Sequence, residues 1–288
     1  MTGHGLLIVD KPARLTSHDV VARARRITGT RKVGHAGTLD PMATGVLVLG
    51  VGRATRLLGH ITLTDKAYDA TVRLGAATTT DDAEGEVVAT VPATALTQES
   101  VEAAFAAQVG DIEQVPSSVS AIKVGGKRAY ARVRSGEQVE LRARPVTIGS
   151  ITVGPLRRVG DLADVDISVT CGSGTYVRAI ARDAGAALGV GGHLTMLRRT
   201  RVGPFTLADA SLDLDAGSYA LTPMGIVGER LFPHLRVTDA QAKAISYGQK
   251  LDLELPAAGP VAMLAPDGDL LALYEQRGPA AAPVAVFR

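Results

Sequence analysis

The stretch from residue 34 to residue 45, Gly-His-Ala-Gly-Thr-Leu-Asp-Pro-Met-Ala-Thr-Gly, constrains the fold of this chain most strongly. Its one carboxylate, Asp40, precedes Pro41, which disfavours helical dihedrals at Asp40 and predicts an extended backbone there. The three glycines of the stretch permit sharp turns or a close approach by another segment. The apolar run that follows, residues 46–49, predicts a buried strand. These features indicate a stiff loop at a strand edge, which is either a catalytic carboxylate site or an ordinary Asp-Pro turn.

The rest of the chain predicts strands and helices in alternation. The apolar run from Gly5 to Asp10 predicts a first strand, and Ser17 is the predicted cap of a helix that ends near Gly29. Alternating residues over 66–74 predict a half-buried strand, in which Tyr68 is either a core residue or a ring that lines a pocket. Further strands are predicted at 86–91, 138–154, 163–171 and 191–201, and helices from Thr97 and from Asp239.

A pair of carboxylates, Asp81 and Asp82, lies in the polar stretch 78–85. Paired acids are possible metal ligands, but no histidine is close by in the sequence. The turn-like composition of the stretch therefore predicts a solvated loop rather than a metal site.

A second glycine-punctuated stretch, residues 172–174, ends a predicted strand. Thr175 is the predicted cap of the helix that follows, with Tyr176 and Arg178 at its start. Glycine-rich turns before helices often bind phosphate, but Gly-Ser-Gly is too short for a dinucleotide-binding or P-loop motif.

Charge is distributed unevenly along the sequence. Residues 1–35 carry seven Lys or Arg and two acids, and residues 117–148 carry the same numbers. Residues 67–115, between them, carry one Arg and nine acids. Two basic segments separated by an acidic one predict a polarised surface whose basic side faces a polyanion. The alternative is that the basic helices are simply solvated.

Composition narrows the class of protein further. Of the 288 residues, 46% are hydrophobic and 21% are charged, which is typical of a globular chain with one large domain or one domain and an appendage. The apolar runs are far shorter than a membrane span, and the first residues lack the pattern of a signal peptide. The single cysteine, Cys171, excludes an internal disulfide and a cysteine-based zinc site. We therefore expect a cytoplasmic protein that does not enter a membrane.

Several short motifs match one known family, in order and over nearly the whole chain. They are Lys11-Pro12, Thr16-Ser17, residues 34–45, Lys66-Ala67-Tyr68, Arg73-Leu74-Gly75, Thr79-Thr80-Asp81, Ser120-Ala121-Ile122-Lys123, residues 126–130, residues 174–178 and Leu197-Arg198-Arg199. With these motifs the chain resembles the TruB family of tRNA pseudouridine synthases, which modify uridine 55 in the T loop of tRNA. The Gly-x-Leu-Asp-Pro core is shared by several pseudouridine synthase families, whereas His35 and the Ser-Ala-x-Lys segment narrow the resemblance to this one.

The resemblance implies an α+β fold, with a central mixed, mostly antiparallel sheet flanked by helices. It implies a catalytic domain over residues 1–230, with a mobile insertion around 117–148 that grips the T arm of tRNA. Residues 231–288 then form a small β-rich domain similar to a short PUA module. The expected partner is tRNA, through its T stem-loop, and the expected oligomeric state is a monomer.

The resemblance also implies a chemistry. Asp40 is the expected nucleophile or general base, and the reaction needs neither a cofactor nor a metal. A salt bridge from Arg178 is expected to balance the charge of Asp40 and to keep it ionised in a covered pocket. The target uridine must be flipped out of the RNA, and Tyr68 is expected to stack on the extruded base. Further contacts to the RNA are expected from His35, Tyr176, Leu197, Lys11 and Lys123.

Two other functions are weighed against this one. The first is a tRNA-binding or tRNA-folding chaperone whose isomerase activity is secondary or lost. The combination of Asp40, Tyr68 and Arg178 disfavours loss of activity, but it does not disfavour a chaperone role beside catalysis. The second is a hydrolase that uses Asp40 as one of two carboxylates, and no second acid stands in a comparable loop.

Overall fold

Two compact units make up the protein, and the computed structural model describes residues 3–117, 123–124, 127–128 and 141–287. The first unit consists of residues 1–41, 45–62 and 202–288, and the second of residues 42–44 and 63–201. Most of the predicted insertion at 117–148 lies outside the described residues. Both units combine helices with mostly antiparallel strands, so the predicted α+β class is confirmed.

The strands, in chain order, are β1 (Gly5–Lys11), β2 (Val33–His35), β3 (Thr44–Val51), β4 (Lys66–Leu74), β5 (Ala76–Thr78), β6 (Val87–Thr90), β7 (Gly110–Gln114), β8 (Lys123–Val124), β9 (Lys127–Arg128), β10 (Arg144–Val153), β11 (Arg157–Val159), β12 (Leu162–Cys171), β13 (Gly192–Val202), β14 (Phe205–Thr206), β15 (Thr222–Pro223), β16 (His234–Arg236), β17 (Val261–Leu264), β18 (Leu270–Arg277) and β19 (Ala280–Val286). The helices are α1 (Ser17–Thr28), α2 (Leu58–Leu63), α3 (Gln98–Ala106), α4 (Val177–Ala187), α5 (Met224–Leu231) and α6 (Asp239–Ser246), with short 3-10 helices at Gly52–Leu57 and Leu207–Asp209. Among these described helices, none has both the length and the apolar character needed to cross a membrane.

In the first unit, β3 holds the segment that carries Asp40. β1 runs antiparallel to β3, from Gly5 opposite Val51 to Lys11 opposite Gly45. β2 also pairs antiparallel with β3, with His35 opposite Leu49. Every residue of β3 after its first is buried, as the apolar run predicted. The loop between β2 and β3 therefore starts and ends on paired strands.

Helix α1 begins with a capping box. The hydroxyl of Thr16 accepts a hydrogen bond from the main-chain N–H of Asp19, and the Asp19 carboxylate accepts one from the N–H of Thr16. The predicted cap at Ser17 is therefore wrong by one residue, because Ser17 is already helical and its side chain is fully buried. Gly29, with φ of 65°, ends the helix as predicted, since glycine adopts the left-handed conformation without a Cβ clash.

The C-terminal strands share a core with the N-terminal strands of the same unit. β16, β17, β18 and β19 form a sheet in that order, parallel between the first two and antiparallel elsewhere. Leu264, Leu273 and Phe287 belong to the same hydrophobic cluster as Leu6 and Val48. Burial of one apolar cluster thus stabilises both ends of the chain together. The domain boundary at residue 230 and the likeness of the tail to a PUA module stay predictions.

The second unit places five strands side by side in the order β13, β4, β12, β10 and β7. β4 and β12 pair antiparallel from Leu74 opposite Ala163 to Lys66 opposite Cys171. Alternate side chains along β4 are buried, including Tyr68, so the predicted half-buried strand is confirmed. Helix α4 packs against β4 and carries Arg178 near its start.

The pairing of β7 with β10 brings together the two ends of the segment that connects them. Gly110 lies opposite Ile148, and Gln114 lies opposite Arg144. Gln114 is the last residue of β7, and Arg144 is the first residue of β10. The chain therefore leaves the sheet after Gln114 and returns to it beside the same residue.

Candidate active site

The Asp40 loop (residues 36–43) is held on both sides of Asp40 through the main chain. Before Asp40, the N–H of Leu39 donates to Ser17 Oγ at 2.8 Å, and the same hydroxyl donates to the Leu39 carbonyl at 3.2 Å. After Asp40, the Pro41 carbonyl accepts a hydrogen bond from the main-chain N–H of Arg14 at 2.8 Å. Asp40 itself is half-buried. The backbone beneath the carboxylate is therefore fixed from two directions, which is what positioning of a reacting group requires.

A buried lysine adds a third support. Lys11, at the end of β1, is fully buried, and its Nζ donates to the carbonyls of Pro12, Leu15 and Pro41 at 3.0, 2.7 and 3.3 Å. An ammonium group has three N–H donors, so three carbonyl oxygens can replace the water that burial removes. Lys11 thus binds the Asp40 loop, and its expected contact with RNA stays a prediction.

Arg14 has an uncommon backbone conformation. Its φ is 70°, in the left-handed region, where a Cβ atom costs about 1–2 kcal/mol. In this conformation its N–H points to the Pro41 carbonyl, while its side chain is exposed. The support of the Asp40 loop therefore includes a strained residue.

His35 lies at the end of β2, just before the Asp40 loop. Its ring meets the ring of His18 on helix α1 edge to face, with the ring centroids 5.6 Å apart and an interplanar angle of 78°. Helix α1 thus contacts the His35 ring through His18 and the Leu39 main chain through Ser17. The expected contact of His35 with the extruded RNA loop stays a prediction.

In the second unit, Arg178 begins helix α4 within a buried ion pair. Its Nη1 lies 3.3 Å from Asp82 Oδ2 and donates to the Thr80 carbonyl at 2.9 Å. The side chains of Arg178 and Asp82 are only 4% and 3% exposed. The positive end of the helix dipole disfavours a cation at this position, and the Asp82 carboxylate offsets that effect. The solvated loop predicted for Asp81 and Asp82 is therefore wrong.

Arg182, one turn further along α4, forms an ion pair with Asp81, the residue before Asp82. Its Nη1 lies 3.3 Å from Asp81 Oδ2, and its Nη2 donates to the Val115 carbonyl at 2.7 Å. Burial raises the pKa of Asp81 above its ordinary value, although the charges of Arg182 and Arg178 oppose this shift. We call these four residues, Arg178, Arg182, Asp81 and Asp82, the Arg178 cluster. The one sequence signal for it was the spacing of four between the two arginines, which places them on one helix face.

Tyr176 is fixed by its main chain rather than by the predicted cap. It is the residue before α4, and no side-chain hydrogen bond caps this helix, so the cap predicted at Thr175 is wrong. Gln114, which is 2% exposed, binds the main chain of Tyr176 instead. Its Oε1 accepts a hydrogen bond from the Tyr176 N–H at 2.8 Å, and its Nε2 donates to the Tyr176 carbonyl at 3.2 Å. The amide thus pairs with Tyr176 as a neighbouring strand would.

Tyr68 and Leu197 lie on the neighbouring strands β4 and β13. Both are largely buried, with exposed fractions of 8% and 6%. On the same strands, Lys66 and Arg199 are also buried, and burial followed by the charge of Arg199 lowers the pKa of Lys66 below its ordinary value. Burial of Tyr68 is compatible with a core residue and with a pocket wall, so its expected stacking on a uridine stays a prediction.

The expected site residues are divided between the two units. Asp40, Lys11 and His35 belong to the first unit, and Tyr68, Tyr176, Arg178 and Leu197 to the second. The salt bridge expected between Asp40 and Arg178 stays a prediction. The side chain of Lys123 lies outside the described residues. Within the part of the chain that the structure describes, no three His, Cys, Asp or Glu side chains are grouped so that they could hold a metal ion.

Three sequence profiles of one enzyme family match the chain. The profile described as TruB family pseudouridylate synthase, N-terminal domain, matches residues 25–177. The profile described as tRNA pseudouridylate synthase B C-terminal domain matches residues 178–219, and that described as tRNA pseudouridine synthase II, C terminal, matches residues 232–288. Together these profiles span most of the chain.

Similar whole proteins agree with the profiles. The tRNA pseudouridine synthase B of Nocardia farcinica is 60% identical over 286 residues, which is 99% of this chain and 93% of the relative. The tRNA pseudouridine synthase B of Cutibacterium acnes is 58% identical, over 94% of this chain and 92% of the relative. A chain in the crystal structure of the archaeal box H/ACA sRNP Nop10-Cbf5 complex is 25% identical with a TM-score of 0.71, covering 100% of this chain and 87% of that chain. This chain therefore belongs to the TruB family of pseudouridylate synthases and has its fold.

Proposed function

We propose that this protein converts uridine 55 in the T loop of tRNA to pseudouridine, with Asp40 as the reacting carboxylate and without a cofactor. The observation that carries the proposal is the support of the Asp40 loop on both sides, by Ser17 at Leu39 and by Arg14 and Lys11 at Pro41. A carboxylate on a fixed backbone suits nucleophilic or general-base catalysis, in which small misplacements are costly. The choice of substrate rests on the relatives, which are described as tRNA pseudouridine synthases.

The proposed reaction is an isomerisation, so uridine keeps all of its heavy atoms. The bond between N1 and C1′ breaks, the base rotates, and a bond forms between C5 and C1′. The hydrogen on C5 leaves as a proton, and N1 takes up a proton. Asp40 starts this sequence in its ionised form, either as the nucleophile or as the base that removes a proton from the ribose.

Arg178 is the proposed partner of the ionised Asp40. A guanidinium group has five N–H donors, so its contact with Asp82 at 3.3 Å is compatible with a second carboxylate partner. A nearby guanidinium favours the ionised form of a carboxyl group, which is the reactive form here. Asp82 and the Thr80 carbonyl fix the orientation of the guanidinium before substrate binds.

Binding of the target base requires that it leave the stack of the folded T loop. Unstacking costs a few kcal/mol, and stacking on an aromatic side chain returns about 1–3 kcal/mol. Tyr68 is the proposed stacking partner, and Tyr176 and Leu197 are the proposed walls of the base pocket. His35 is proposed to hold the everted loop, and Lys123 is proposed to bind the RNA. Lys11, which is buried, is proposed to act on RNA binding through the Asp40 loop that it supports.

The direct test uses an unmodified tRNA transcript that carries tritium at C5 of its uridines. The wild-type protein is expected to release tritium and to produce pseudouridine at position 55. Asp40→Asn and Asp40→Ala are expected to bind the transcript but to release no tritium above background. Asp252→Asn, which changes an exposed carboxylate, is the matched control and should keep full activity.

The possible outcomes separate the parts of the proposal. Full activity of Asp40→Ala would refute the catalytic role of Asp40, and pseudouridine at another position would refute the assignment to uridine 55. A refolding assay with misfolded tRNA and the Asp40→Asn variant measures the chaperone role separately. Refolding by a variant that makes no pseudouridine would assign both roles to this protein.

A further inference from the structure

One buried amide side chain binds the residue from which helix α4 begins. Gln114 is only 2% exposed, and both polar atoms of its amide bind the main chain of Tyr176. Its Oε1 accepts from the Tyr176 N–H at 2.8 Å, and its Nε2 donates to the Tyr176 carbonyl at 3.2 Å. Two hydrogen bonds of opposite direction therefore fix Tyr176 to the end of β7.

The Tyr176 carbonyl is also an acceptor for the first turn of α4. It accepts hydrogen bonds from the main-chain N–H groups of Ala179 at 3.1 Å and Ile180 at 3.3 Å. The Gln114 amide therefore binds at the point where the helical hydrogen bonds start. Arg178 lies in this first turn, two residues after Tyr176. Because helical geometry links the two residues, a shift of the Tyr176 main chain moves both side chains.

The segment that precedes Tyr176 restrains it less than a paired strand does. Gly172 and Gly174 lie on either side of Ser173, and Gly174 has a φ of 89°. Glycine has no Cβ atom to restrict its backbone, so a segment with two glycines has more conformations open to it. β7, in contrast, is paired with β10 along its whole length. The main restraint on Tyr176 that we identify is therefore the amide from β7.

Two other contacts join α4 to the chain near β7 without involving Tyr176. Arg182 Nη2 donates to the Val115 carbonyl at 2.7 Å, and Gln108 Nε2 donates to the Ile180 carbonyl at 3.1 Å. Gln108 resembles Gln114 in being a buried glutamine, with an exposed fraction of 9%. It binds the middle of the helix, whereas Gln114 binds its start. The two glutamines therefore form a matched pair for mutation.

We propose that Gln114 is a positioning residue for the isomerisation, because it holds Tyr176 and the first turn of α4 in the geometry that the reaction requires. This inference rests on the proposed function, which makes Tyr176 a wall of the base pocket and Arg178 the partner of Asp40. Gln114 is buried, so it acts through Tyr176 and not by contact with the RNA. Small misplacements of groups at a reacting centre cost large factors in rate. Loss of the two hydrogen bonds therefore slows the chemical step and leaves RNA binding unchanged.

The first test is Gln114→Met, which keeps the length of the side chain and removes both hydrogen bonds. We expect kcat, measured by tritium release at saturating tRNA transcript, to fall roughly tenfold to a hundredfold. Binding of a T-arm stem-loop RNA is measured by fluorescence anisotropy with Asp40→Asn also present, so that no turnover occurs. Its Kd should equal that of Asp40→Asn alone. Gln108→Met is the matched control, which should lower the urea midpoint but keep the wild-type kcat.

A second variant, Gln114→Glu, makes the same hydrogen bonds depend on pH. The ionised carboxylate accepts from the Tyr176 N–H but cannot donate to the Tyr176 carbonyl, whereas the protonated form does both. Burial raises the pKa of such a carboxyl group, so mildly acidic solution protonates it. The ratio of its kcat to the wild-type kcat should therefore rise as pH falls from about 8 to about 5.5. The ratio for Gln114→Met should stay constant, and division by the wild-type value removes the ionisation of Asp40 from both.

Three results would overturn the proposal. The first is a wild-type kcat in Gln114→Met. The second is an equal fall of kcat in Gln108→Met, which would indicate a general loosening of α4. The third is a kcat ratio for Gln114→Glu that does not change with pH, since the hydrogen bond donated to the Tyr176 carbonyl would then not matter. If Gln114→Met does not fold, the pH series with Gln114→Glu decides the question.

A measurement without turnover separates this inference from the proposed function. Exchange of the Tyr176 amide hydrogen, followed by NMR, should be faster in Gln114→Met than in the wild type or in Gln108→Met, because its acceptor is removed. Unchanged exchange would refute the positioning of Tyr176 whether or not the protein is active. If the wild type makes no pseudouridine, the proposed function fails, and exchange still shows whether Gln114 fixes Tyr176. If the wild type makes pseudouridine and Gln114→Met keeps its kcat, only the positioning role fails.

Discussion

Around Asp40, the hydrogen bonds that support the loop end on main-chain groups of Leu39 and Pro41, whereas around Arg178 charged side chains bind charged side chains. The first arrangement fixes a backbone without depending on the ionisation of a carboxyl group. The second depends on the charge of Asp82, because the buried guanidinium of Arg178 is costly to leave unpaired. The two regions should therefore differ in their response to mutation and to pH.

Breaking the buried ion pair should have the largest effect on stability. Asp82→Ala leaves the guanidinium of Arg178 buried without its carboxylate, which is expected to lower the free energy of unfolding by about 3–5 kcal/mol. Urea unfolding measures this change. The double variant Arg178→Met with Asp82→Leu should lose less than Asp82→Ala alone, because it leaves no unpaired buried charge.

An exposed ion pair supplies the control for that prediction. Arg157 and Asp166 pair at 2.6 Å with side chains that are 45% and 54% exposed. Arg157→Met is expected to change stability little, since water replaces the lost contact. A comparable loss at both pairs would mean that burial does not distinguish the Arg178 cluster.

Removal of the Ser17 hydroxyl should weaken the support of Asp40. Ser17→Ala leaves the N–H and the carbonyl of Leu39 without their shared partner, at a cost of about 1–3 kcal/mol in the free energy of unfolding. Because the backbone before Asp40 is then less well fixed, kcat is expected to fall roughly tenfold to a hundredfold. Urea unfolding and single-turnover kinetics measure the two effects.

Thr28 offers a matched control on the same helix. Its buried hydroxyl donates to the Ala24 carbonyl at 2.7 Å, away from the Asp40 loop. Thr28→Val should alter stability but leave kcat at the wild-type value. If Ser17→Ala also keeps the wild-type kcat, the main-chain support of Asp40 is not needed for the reaction.

A third measurement uses pH to distinguish the two regions. The pKa of Asp81 is raised in the folded protein, so its protonated form stabilises the fold, and this stabilisation is lost as pH rises through the folded-state pKa. From below the ordinary carboxyl pKa of about 3.9 up to neutral pH, the wild type should therefore lose stability relative to Asp81→Asn. The difference between the wild type and Ser17→Ala should show no such trend. Urea midpoints at a series of pH values test both statements.

The smallest expected effect is a gain in stability at Arg14. Its left-handed φ of 70° strains a residue with a Cβ atom, and Arg14→Gly removes that strain. Because glycine also loses more chain entropy on folding, the net gain should be only about 0.5–1 kcal/mol. Arg14→Ala keeps the Cβ atom and should show no gain in the urea midpoint. Equal midpoints for the two variants would show that strain at this position is negligible.

Features that depend on local pattern could be predicted from the sequence. The strands around Val46–Leu49 and over 66–74 follow from apolar runs and alternation, which need no distant partner. The start of α1 was misplaced by one residue because both Thr16 and Ser17 can cap, and only Asp19, three residues after Thr16, completes a capping box.

Features that depend on distant residues could not be predicted in this way. No cap forms at Thr175, and the residue before the helix, Tyr176, is held by the amide of Gln114, which lies 62 residues earlier in the chain. The burial of Asp82 depends on Arg178, which belongs to a different segment of the unit. The expected role of Asp40 came from an ordered set of motifs, since a single carboxylate before a proline specifies no chemistry by itself.

The pairing of Gln114 with Arg144 has a consequence for protein engineering. The two ends of the segment between them are fixed side by side, and Gln114 is further anchored to Tyr176. We therefore expect that another segment joined near these two residues would leave the register of β7 with β10 unchanged. The closure entropy of a loop depends only weakly on its length, at about 0.6 kcal/mol for each doubling. A segment from another family member, or a short turn, is therefore expected to be tolerated between Gln114 and Arg144.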